Sequence, residues 1–357
     1  MNILKRIRLD PLTTNHFKRN MSWSDTFIMR NRKESWSVSD KKKKSYVNNI
    51  NDKLQKCKIK IHEEHQYLNL IRNIMNNGVE EITRNGNTKS IIGASMKFSL
   101  NNNKIPILTT KKMAWRSCLK ELLWFISGDT DNLNLVNQNV KIWNDNASRE
   151  FLDSRGLQHH REGDLGPIYG YQWRHYNSDY VPLHVMQDNN RYELNKNRGI
   201  DQLNNIIESL KDKNERYSRR LIMTAWNPEQ IDMMALPPCH VMSQFSVLNN
   251  KLYCTMYQRS GDVGLGIPFN IASYSFLTIL LAKHCGLEPG EFIHFIGNAH
   301  IYKEHENILK TQLNNKPQEF PSCEIKEVKS NINDYEFSDF TINNYKYHKP
   351  IKMDMIP

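Results

Sequence analysis

The main body of the sequence predicts an α+β fold, because helical and strand-like patterns both occur in it. Several segments carry apolar residues at spacings of three and four, which is typical of helices packed on a core. Two strand-like runs flank Asn249-Asn250, a pair suited to a tight hairpin turn. Phe276–Cys285 is almost entirely apolar and predicts a buried helix.

Glycines mark the ends of three of the predicted helices, since glycine readily adopts the backbone conformations that end a helix. The predicted helices are Glu63–Asn77 before Gly78, Arg116–Ser127 before Gly128, Asp201–Leu210, and Phe276–Cys285 before Gly286. The predicted strands are Arg220–Trp226, Phe245–Leu248 and Lys251–Tyr257.

Composition narrows the classes of protein to consider. The 357 residues allow one large domain or two modest ones, and 39% hydrophobic content supports a substantial core. The six cysteines form no close CxxC pair, which argues against a zinc site and against a disulfide framework. We therefore expect no metal and a reducing compartment, the cytoplasm first and the nucleus second.

No membrane association is expected. The longest apolar run, around Ile271–Ala282, is interrupted by serines and a tyrosine and is too short to cross a bilayer. The first ten residues lack the long apolar core of a signal peptide.

The positive charge is concentrated at the start of the chain. Residues 1–60 carry 16 Lys or Arg and 5 Asp or Glu, an excess of 11, which equals the net charge of the whole chain. This stretch is also rich in Asn and Ser, so 1–60 is interpreted as a basic, disordered extension and 61–357 as the folded domain. The run Lys41–Lys44 supports weak contact with nucleic acid as a sharper interpretation.

One cysteine follows a rigid corner. Pro237 and Pro238 fix the backbone before Cys239, and a histidine follows directly. A thiol held in this way suits a nucleophile, although most cysteines are inert core residues. Further along, residues 258–274 read Gln-Arg-Ser-Gly-Asp-Val-Gly-Leu-Gly-Ile-Pro-Phe-Asn-Ile-Ala-Ser-Tyr.

Together these two segments closely resemble the signature of thymidylate synthases, and the resemblance runs from about His62 to the C-terminus. It implies a thymidylate synthase-type α+β fold, with a large mixed β-sheet at a homodimer interface and helices covering the sheet. It also implies a eukaryotic-type, monofunctional enzyme, since about 60 preceding residues are too few for a fused dihydrofolate reductase.

The resemblance implies a methyltransferase that converts dUMP to dTMP, with 5,10-methylenetetrahydrofolate as co-substrate and dihydrofolate as product. By resemblance, Cys239 is the nucleophile at C6 of the pyrimidine, and nearby cations must lower the pKa of its thiol. Glu121 matches the general acid/base, and its aromatic neighbours should raise its pKa. Tyr169 matches the residue that assists proton removal at C5. Asn270 reads the uracil edge, and His240 supports a water network at O4.

Substrate and folate residues also follow from the resemblance. Arg219 and Arg220 are expected to reach into the partner's site, and guanidinium groups suit the substrate phosphate. The residues matched to dUMP are Arg84, Arg219, Arg220, Gln258, Arg259, Ser260, Asp262, Asn270, His300 and Tyr302. The residues matched to reduced folate are Ile142, Trp143, Asn146, Asp262, Leu265, Gly266 and Phe269.

Three positions depart from the family pattern. Asn298 stands where the family usually shows aspartate, and the loop 83–88 around Arg84 is one residue shorter and lacks a second glycine. The C-terminal segment matches the one that closes over bound folate, but it ends at Pro357, an unusual last residue.

Two other functions are weighed against this one. A pyrimidine hydroxymethylase of the same fold would transfer hydroxymethyl to a cytosine nucleotide, but cytosine presents a donor at C4 and would favour aspartate in place of Asn270. A nucleic-acid-binding protein with a retired site would not need the nearly complete set of catalytic residues.

Overall fold

The computed structural model describes residues 61–83, 86–181 and 199–356. The described residues all belong to one compact unit, Ile61–Pro357. The basic extension 1–60, Arg84 and Pro357 lie outside the described residues, so their predicted roles stay predictions.

Helices and strands alternate irregularly along the described chain. The helices are α1 His65–Asn77, α2 Trp115–Ile126, α3 Asn132–Val136, α4 Arg149–Ser154, α5 Tyr169–His175, α6 Gln202–Lys211, α7 Gly266–His284 and α8 Glu306–Gln312. The strands are β1 Val79–Thr83, β2 Gly86–Ser99, β3 Ile222–Thr224, β4 His240–Leu248, β5 Lys251–Asp262, β6 Glu288–Tyr302, β7 Ser322–Ile325 and β8 Phe340–Asn343. Single 3₁₀ turns lie at Asn101–Asn103, Ile231–Met233, Lys303–His305, Ile332–Asp334 and Phe337–Asp339.

Six of these strands form one mixed sheet, in the order β1-β2-β6-β5-β4-β3. Its pairings are antiparallel except for β5 with β6, which run parallel. A parallel pair needs a crossover connection, and α7 supplies it. Strands β7 and β8 form a small second sheet. The predicted α+β class, with a large mixed sheet and covering helices, is confirmed.

Helix α7 occupies the centre of the core. It packs on β5, β6 and α2, and nearly all of its residues from Ile271 to Ala282 are buried. The predicted buried helix is therefore correct, but it begins ten residues earlier, at Gly266. Pro268 and Asn270 interrupt the apolar run in that first part, which carries residues of the site as well as the core residues Ile267 and Ile271.

The predicted hairpin is confirmed. Asn249 and Asn250 both have positive φ angles, 49° and 60°, as a two-residue turn between twisted strands requires. The strands that they join are longer than predicted, because β4 begins at His240 and β5 continues to Asp262. Both extensions carry residues of the candidate site.

The face of the large sheet opposite α7 carries a row of exposed apolar side chains. Met242 pairs with Tyr257, and Tyr257 pairs with Phe295, so the three lie side by side across β4, β5 and β6. Their exposed fractions are 38%, 42% and 46%. Exposed apolar rows of this kind mark interaction surfaces in soluble proteins.

A buried carboxylate joins the start of α1 to the loop before α2. Glu64 has no exposed surface, and its Oε1 accepts hydrogen bonds from the Thr110 backbone N–H at 2.8 Å and the Thr110 hydroxyl at 2.6 Å. Its Oε2 accepts from the Thr109 N–H at 3.0 Å and the Thr109 hydroxyl at 2.6 Å. Both oxygens thus face donors, which is the condition for burying a carboxylate.

Replacing this carboxylate by an amide should destabilise the protein strongly. In Glu64→Gln, an NH₂ group faces donors that it cannot accept from, so we expect a loss of about 2–4 kcal/mol in the free energy of unfolding. Urea denaturation of the variant and of Glu81→Gln, an exposed carboxylate on β1, measures it. The control should change by less than about 0.5 kcal/mol. Equal stabilities of the two variants would contradict the assigned role of Glu64.

Candidate active site

The corner before β4 is held by an arginine from the neighbouring strand. Arg259 donates from Nε to the Pro238 carbonyl and from an Nη to the Pro237 carbonyl, both at 2.9 Å. Its backbone N–H donates to the Cys239 carbonyl at 2.9 Å. The two prolines have no backbone N–H to donate to a sheet ladder, but they keep their carbonyls. Arg259 bonds both carbonyls and thereby orients the cysteine that follows. Cys239 is partly exposed, whereas Cys118, Cys254, Cys285 and Cys323 are buried.

Tyr169 lies at the centre of the site. Its hydroxyl accepts the Cys239 backbone N–H at 2.8 Å, and its ring lies 4.7 Å from the His240 ring and 6.0 Å from the Trp143 ring, centroid to centroid. The chain before Tyr169 passes so close to the 231–233 turn that a Cβ on Gly166 would come within 2.0 Å of a backbone oxygen. Only a residue without a Cβ fits this close approach of two backbone segments, which explains the glycine in the Gly-Pro-Ile-Tyr segment.

The expectation of a lowered thiol pKa is wrong for the protein without ligands. Burial raises the pKa of the Cys239 thiol above its ordinary value, although Arg259 and the Tyr169 hydroxyl act in the opposite direction. Removal of water around the sulfur outweighs one guanidinium.

Glu121 projects from α2 toward Trp143. The indole Nε1 donates to Glu121 Oε1 at 2.7 Å. Burial raises the pKa of Glu121 to about 7, while the hydrogen bond from Trp143 lowers it and only partly offsets burial. The predicted rise in pKa is present, and at neutral pH the carboxyl can both give and take a proton.

A neutral histidine and an amide form the next part of the site. Asn270 Nδ2 donates to His240 Nε2 at 2.8 Å, and burial lowers the pKa of His240 to about 3, so the ring is uncharged. Asparagine retains one amide hydrogen and its oxygen for a ligand. That pattern is complementary to the N3–H and O4 edge of uracil.

Gln258 lies behind the site instead of in it. Its side chain is buried, accepts from His294 Nε2 at 2.9 Å and donates to the Ser260 carbonyl at 2.9 Å. Burial lowers the pKa of His294 to about 3. The structure thus gives Gln258 a supporting position beneath Ser260, and its direct contact with substrate stays a prediction. Sequence reasoning missed His294, although it lies on the same strand face as His300, six residues away.

The opposite end of the site is formed by β5 and β6. Asp262 pairs with His300 across the two strands, and the His300 and Tyr302 rings lie 5.4 Å apart. His300 Nδ1 donates to Asn298 Oδ1 at 3.1 Å. Because an amide oxygen only accepts, this bond leaves His300 Nε2 as an acceptor for a hydroxyl. The departure at Asn298 therefore retains the acceptor that orients the histidine.

The charge on residue 298 should control the titration of His300. Burial lowers the pKa of His300, while the Asp262 carboxylate opposes this. In Asn298→Asp a second carboxylate would favour the imidazolium, and we expect the pKa of His300 to rise. Titration of the imidazole by NMR measures it. Asn298→Ala, which adds no charge, is the control, and equal titration of the two variants would contradict the prediction.

The residues matched to folate lie on the first turn of α7, just before it, and in the segment 142–146. Ile142 and Phe269 are half-buried and pack on the core, Leu265 is half-buried, and Trp143 is bonded to Glu121. Asp262 accepts from the backbone N–H groups of Gly264 and Leu265 at 2.8 and 3.0 Å, which shapes the turn into α7 at Gly266. Asn146 is half-exposed in the turn after Trp143. Half-exposed apolar faces beside a carboxyl suit a flat heteroaromatic ring.

Arg219 and Arg220 are exposed just before β3, at the end of the sheet. Among the residues that the structure describes, neither guanidinium has an identified contact with Cys239 of the same chain. The structure therefore brings together Cys239, Tyr169, His240, Asn270 and Arg259, but not the arginine pair.

The described residues contain neither a candidate metal site nor a helix suited to span a membrane. There, no group of three or more His, Cys, Asp or Glu side chains is arranged to hold a metal ion. None of the helices described is long and apolar enough to cross a bilayer.

Comparison with known proteins identifies one family. The thymidylate synthase family model matches residues 65–357. The chain is 45% identical to a protein of Leishmania amazonensis named bifunctional dihydrofolate reductase-thymidylate synthase, over 92% of this chain and 62% of that protein. Proteins of the same name from Plasmodium chabaudi and Zea mays are 48% and 45% identical, over 84% and 91% of this chain and 49% and 60% of theirs.

The chain thus spans about half to three fifths of the length of these relatives. Their names carry a reductase as well as a synthase, so they do not support the prediction of a monofunctional enzyme, which stays a prediction.

Proposed function

The chain belongs to the thymidylate synthase family, and we propose that it catalyses the reductive methylation of dUMP to dTMP, with 5,10-methylenetetrahydrofolate as co-substrate and dihydrofolate as product. The observation that carries this proposal is the position of Tyr169. Its hydroxyl bonds the backbone of Cys239, and its ring lies against His240 and Trp143, which bonds Glu121. The proposed nucleophile, base-reading pair and proton carrier therefore lie around one tyrosine.

In the proposed reaction, the Cys239 sulfur adds to C6 of the uracil ring, and the electron pair of the C5–C6 double bond moves onto C5 and O4. The carbon at C5 becomes nucleophilic in this way, which the free ring does not achieve. The folate supplies the one-carbon unit and, later, a hydride. The C5 proton is removed with the help of Tyr169, and Glu121 carries protons at the ring and the folate. The methylene carbon bonds to C5 as its bonds to the folate nitrogens break, and the folate then transfers a hydride to this carbon as the sulfur leaves C6, which gives the methyl group, the restored double bond and dihydrofolate.

Substrate binding also provides the charge that the thiol lacks. Arg259 alone does not overcome the effect of burial on the pKa of Cys239. The proposed phosphate site would bring Arg84, Arg219 and Arg220 to the same nucleotide. Their positive charge would favour the thiolate only when the site is assembled, so the free thiol is protected from unproductive chemistry.

The amide at Asn270 favours uracil over cytosine, since its oxygen accepts from N3–H and its free amide hydrogen donates to O4.

An absorbance assay for the formation of dihydrofolate from dUMP and 5,10-methylenetetrahydrofolate tests the proposal, and deoxycytidylate is the control nucleotide. Turnover of deoxycytidylate without dihydrofolate would identify the hydroxymethylase instead. Added NADPH tests the monofunctional prediction, because this chain should not reduce the dihydrofolate that it forms.

The exposed row Met242–Tyr257–Phe295 supports a homodimer in which the two large sheets pack face to face. The row runs across three adjacent strands on the face opposite α7. A twofold axis through this face would bury the same row of both subunits against itself. Arg219 and Arg220, exposed beside the edge strand β3, are then available to the site of the partner subunit.

Subunit exchange tests the shared site. Arg220→Ala and Cys239→Ala homodimers should each be nearly inactive, whereas their exchanged mixture should recover about a quarter of wild-type activity. Half of randomly exchanged dimers are mixed, and each mixed dimer keeps one site with both residues. Lasting inactivity after exchange, verified by native mass spectrometry of the mixed dimer, would mean that both residues serve one subunit.

A further inference from the structure

His305, a residue that the proposed chemistry does not use, lies where three parts of the site meet. It follows β6 in the 3₁₀ turn Lys303–His305 and is only 2% exposed. Its Nε2 bonds the backbone carbonyl of Asp354 at 2.9 Å, near the end of the chain. On its other side, Nδ1 lies 4.0 Å from Asp262 Oδ1. Its ring also lies 5.9 Å from the Tyr302 ring, nearly perpendicular to it.

The bond to Asp354 defines which nitrogen carries a proton. A carbonyl oxygen only accepts, so Nε2 must be protonated and must donate. Nδ1 is then directed toward the Asp262 carboxylate, and it is a buried polar atom without a hydrogen-bond partner within the described residues.

His305, Asp262 and the C-terminal segment pack closely around Gly264. A Cβ at this position would lie 3.0 Å from His305 Nδ1, 3.2 Å from Asp262 Oδ1 and 3.3 Å from Met353 Sδ. The C-terminal segment therefore lies directly on the 262–265 turn, whose N–H groups Asp262 caps. Residues proposed to contact folate belong to this same turn.

From these contacts we propose that His305 is a latch that holds the C-terminal segment 351–356 on the 262–265 turn, and so couples closure of that segment to the position of Asp262. This inference rests on the proposed function for the identity of the ligand beneath the segment. His305 is a positioning residue: it acts through Asp354 and Asp262 and does not touch the reacting atoms.

Trypsin tests the latch without reference to activity. Lys352 is exposed, and cleavage after it releases the peptide Met353–Pro357, whereas Lys349 is protected by the proline that follows it. A protease cuts a docked segment mainly when it opens. In the full-length chain, His305→Phe keeps a ring but cannot donate, and we expect it to release the peptide about tenfold faster than wild type, the scale of one buried hydrogen bond.

Two further variants make the result specific. His305→Gln retains a donor that can reach the Asp354 carbonyl, and it should release the peptide at close to the wild-type rate. His348→Gln is the matched control, because His348 Nε2 also bonds a backbone carbonyl at 2.9 Å, that of Lys316, but on the exposed surface away from Asp262. Equal release rates in wild type, His305→Phe and His348→Gln would overturn the proposal.

The coupling is tested by adding ligand. With dUMP and methylenetetrahydrofolate present, the peptide should be protected in wild type and much less in His305→Phe, whose KM for folate should rise about tenfold with a smaller change in kcat. A wild-type protein that forms no dihydrofolate would contradict the proposed function, while the ligand-free cleavage rates would still decide the latch. Equal protection by ligand in both proteins would contradict the coupling.

Discussion

Cys239→Ala is expected to lose turnover by roughly four orders of magnitude or more, because no other group in the site can add to C6 of the pyrimidine. The same variant should fail to form a covalent complex. A 5-fluoro analogue of dUMP, supplied with methylenetetrahydrofolate, should trap the adduct on the wild-type protein, since fluorine cannot leave C5 as a proton does. Intact-protein mass spectrometry under native conditions detects this complex directly.

The other cysteines supply the control. Cys254 is fully buried, and burial raises the pKa of its thiol to about 12, so it cannot act as a nucleophile at neutral pH. Cys254→Ala should therefore form the adduct as the wild type does. An adduct on Cys239→Ala, or a peptide map that locates the bond elsewhere, would end the assignment of the nucleophile.

Glu121→Gln is expected to reduce kcat by about two to four orders of magnitude, since the amide cannot transfer a proton. Glu150→Gln, on the exposed side of α4, is the matched control and should retain activity.

Trp143→Phe gives a more specific test of the role of Glu121. The indole hydrogen bond lowers the pKa of Glu121, so removing it should move the pH dependence that Glu121 causes to higher pH. An unmoved profile would mean that another group titrates.

The same carboxyl makes stability depend on pH. Its pKa in the folded protein is about 7, against an ordinary value of 4.5, so between these values the folded state holds a proton that the unfolded chain has lost. The free energy of unfolding therefore falls as pH rises through this window. Glu121→Gln cannot titrate, and it should lose less stability than wild type between pH 5 and pH 8. Parallel curves for the two proteins would contradict the raised pKa.

The sequence was most informative where local pattern and final position agree. Helical spacing located α1, α2 and α6 to within two residues, and paired asparagines located the hairpin between β4 and β5. Strands β2 and β6 were not predicted. Gly290 and Gly297 interrupt β6, and the buried positions at the start of β2 are polar, Thr88 and Ser90, so neither strand has a simple alternation of apolar residues.

The residues of the site were predictable from a family signature, but their electrostatics were not. The sign of the shift at Cys239 depends on how much water burial removes, and no motif contains that quantity. His294 and His305 were missed for a related reason. Each hydrogen-bonds a neighbour, Gln258 or Asp354, that is distant in sequence and adjacent only in the folded chain.

The parallel junction of β5 and β6 has a consequence for the order of folding. The hairpin of β4, which directly follows Cys239, and β5 needs only a two-residue turn, so it can form early. His300 reaches β5 only after α7 has crossed the sheet and buried its apolar surface, which closes a much longer loop. Cys239 and the His300 end of the site thus belong to different stages of assembly. Substitutions inside α7, remote from any ligand, would slow maturation of the site without altering its final geometry.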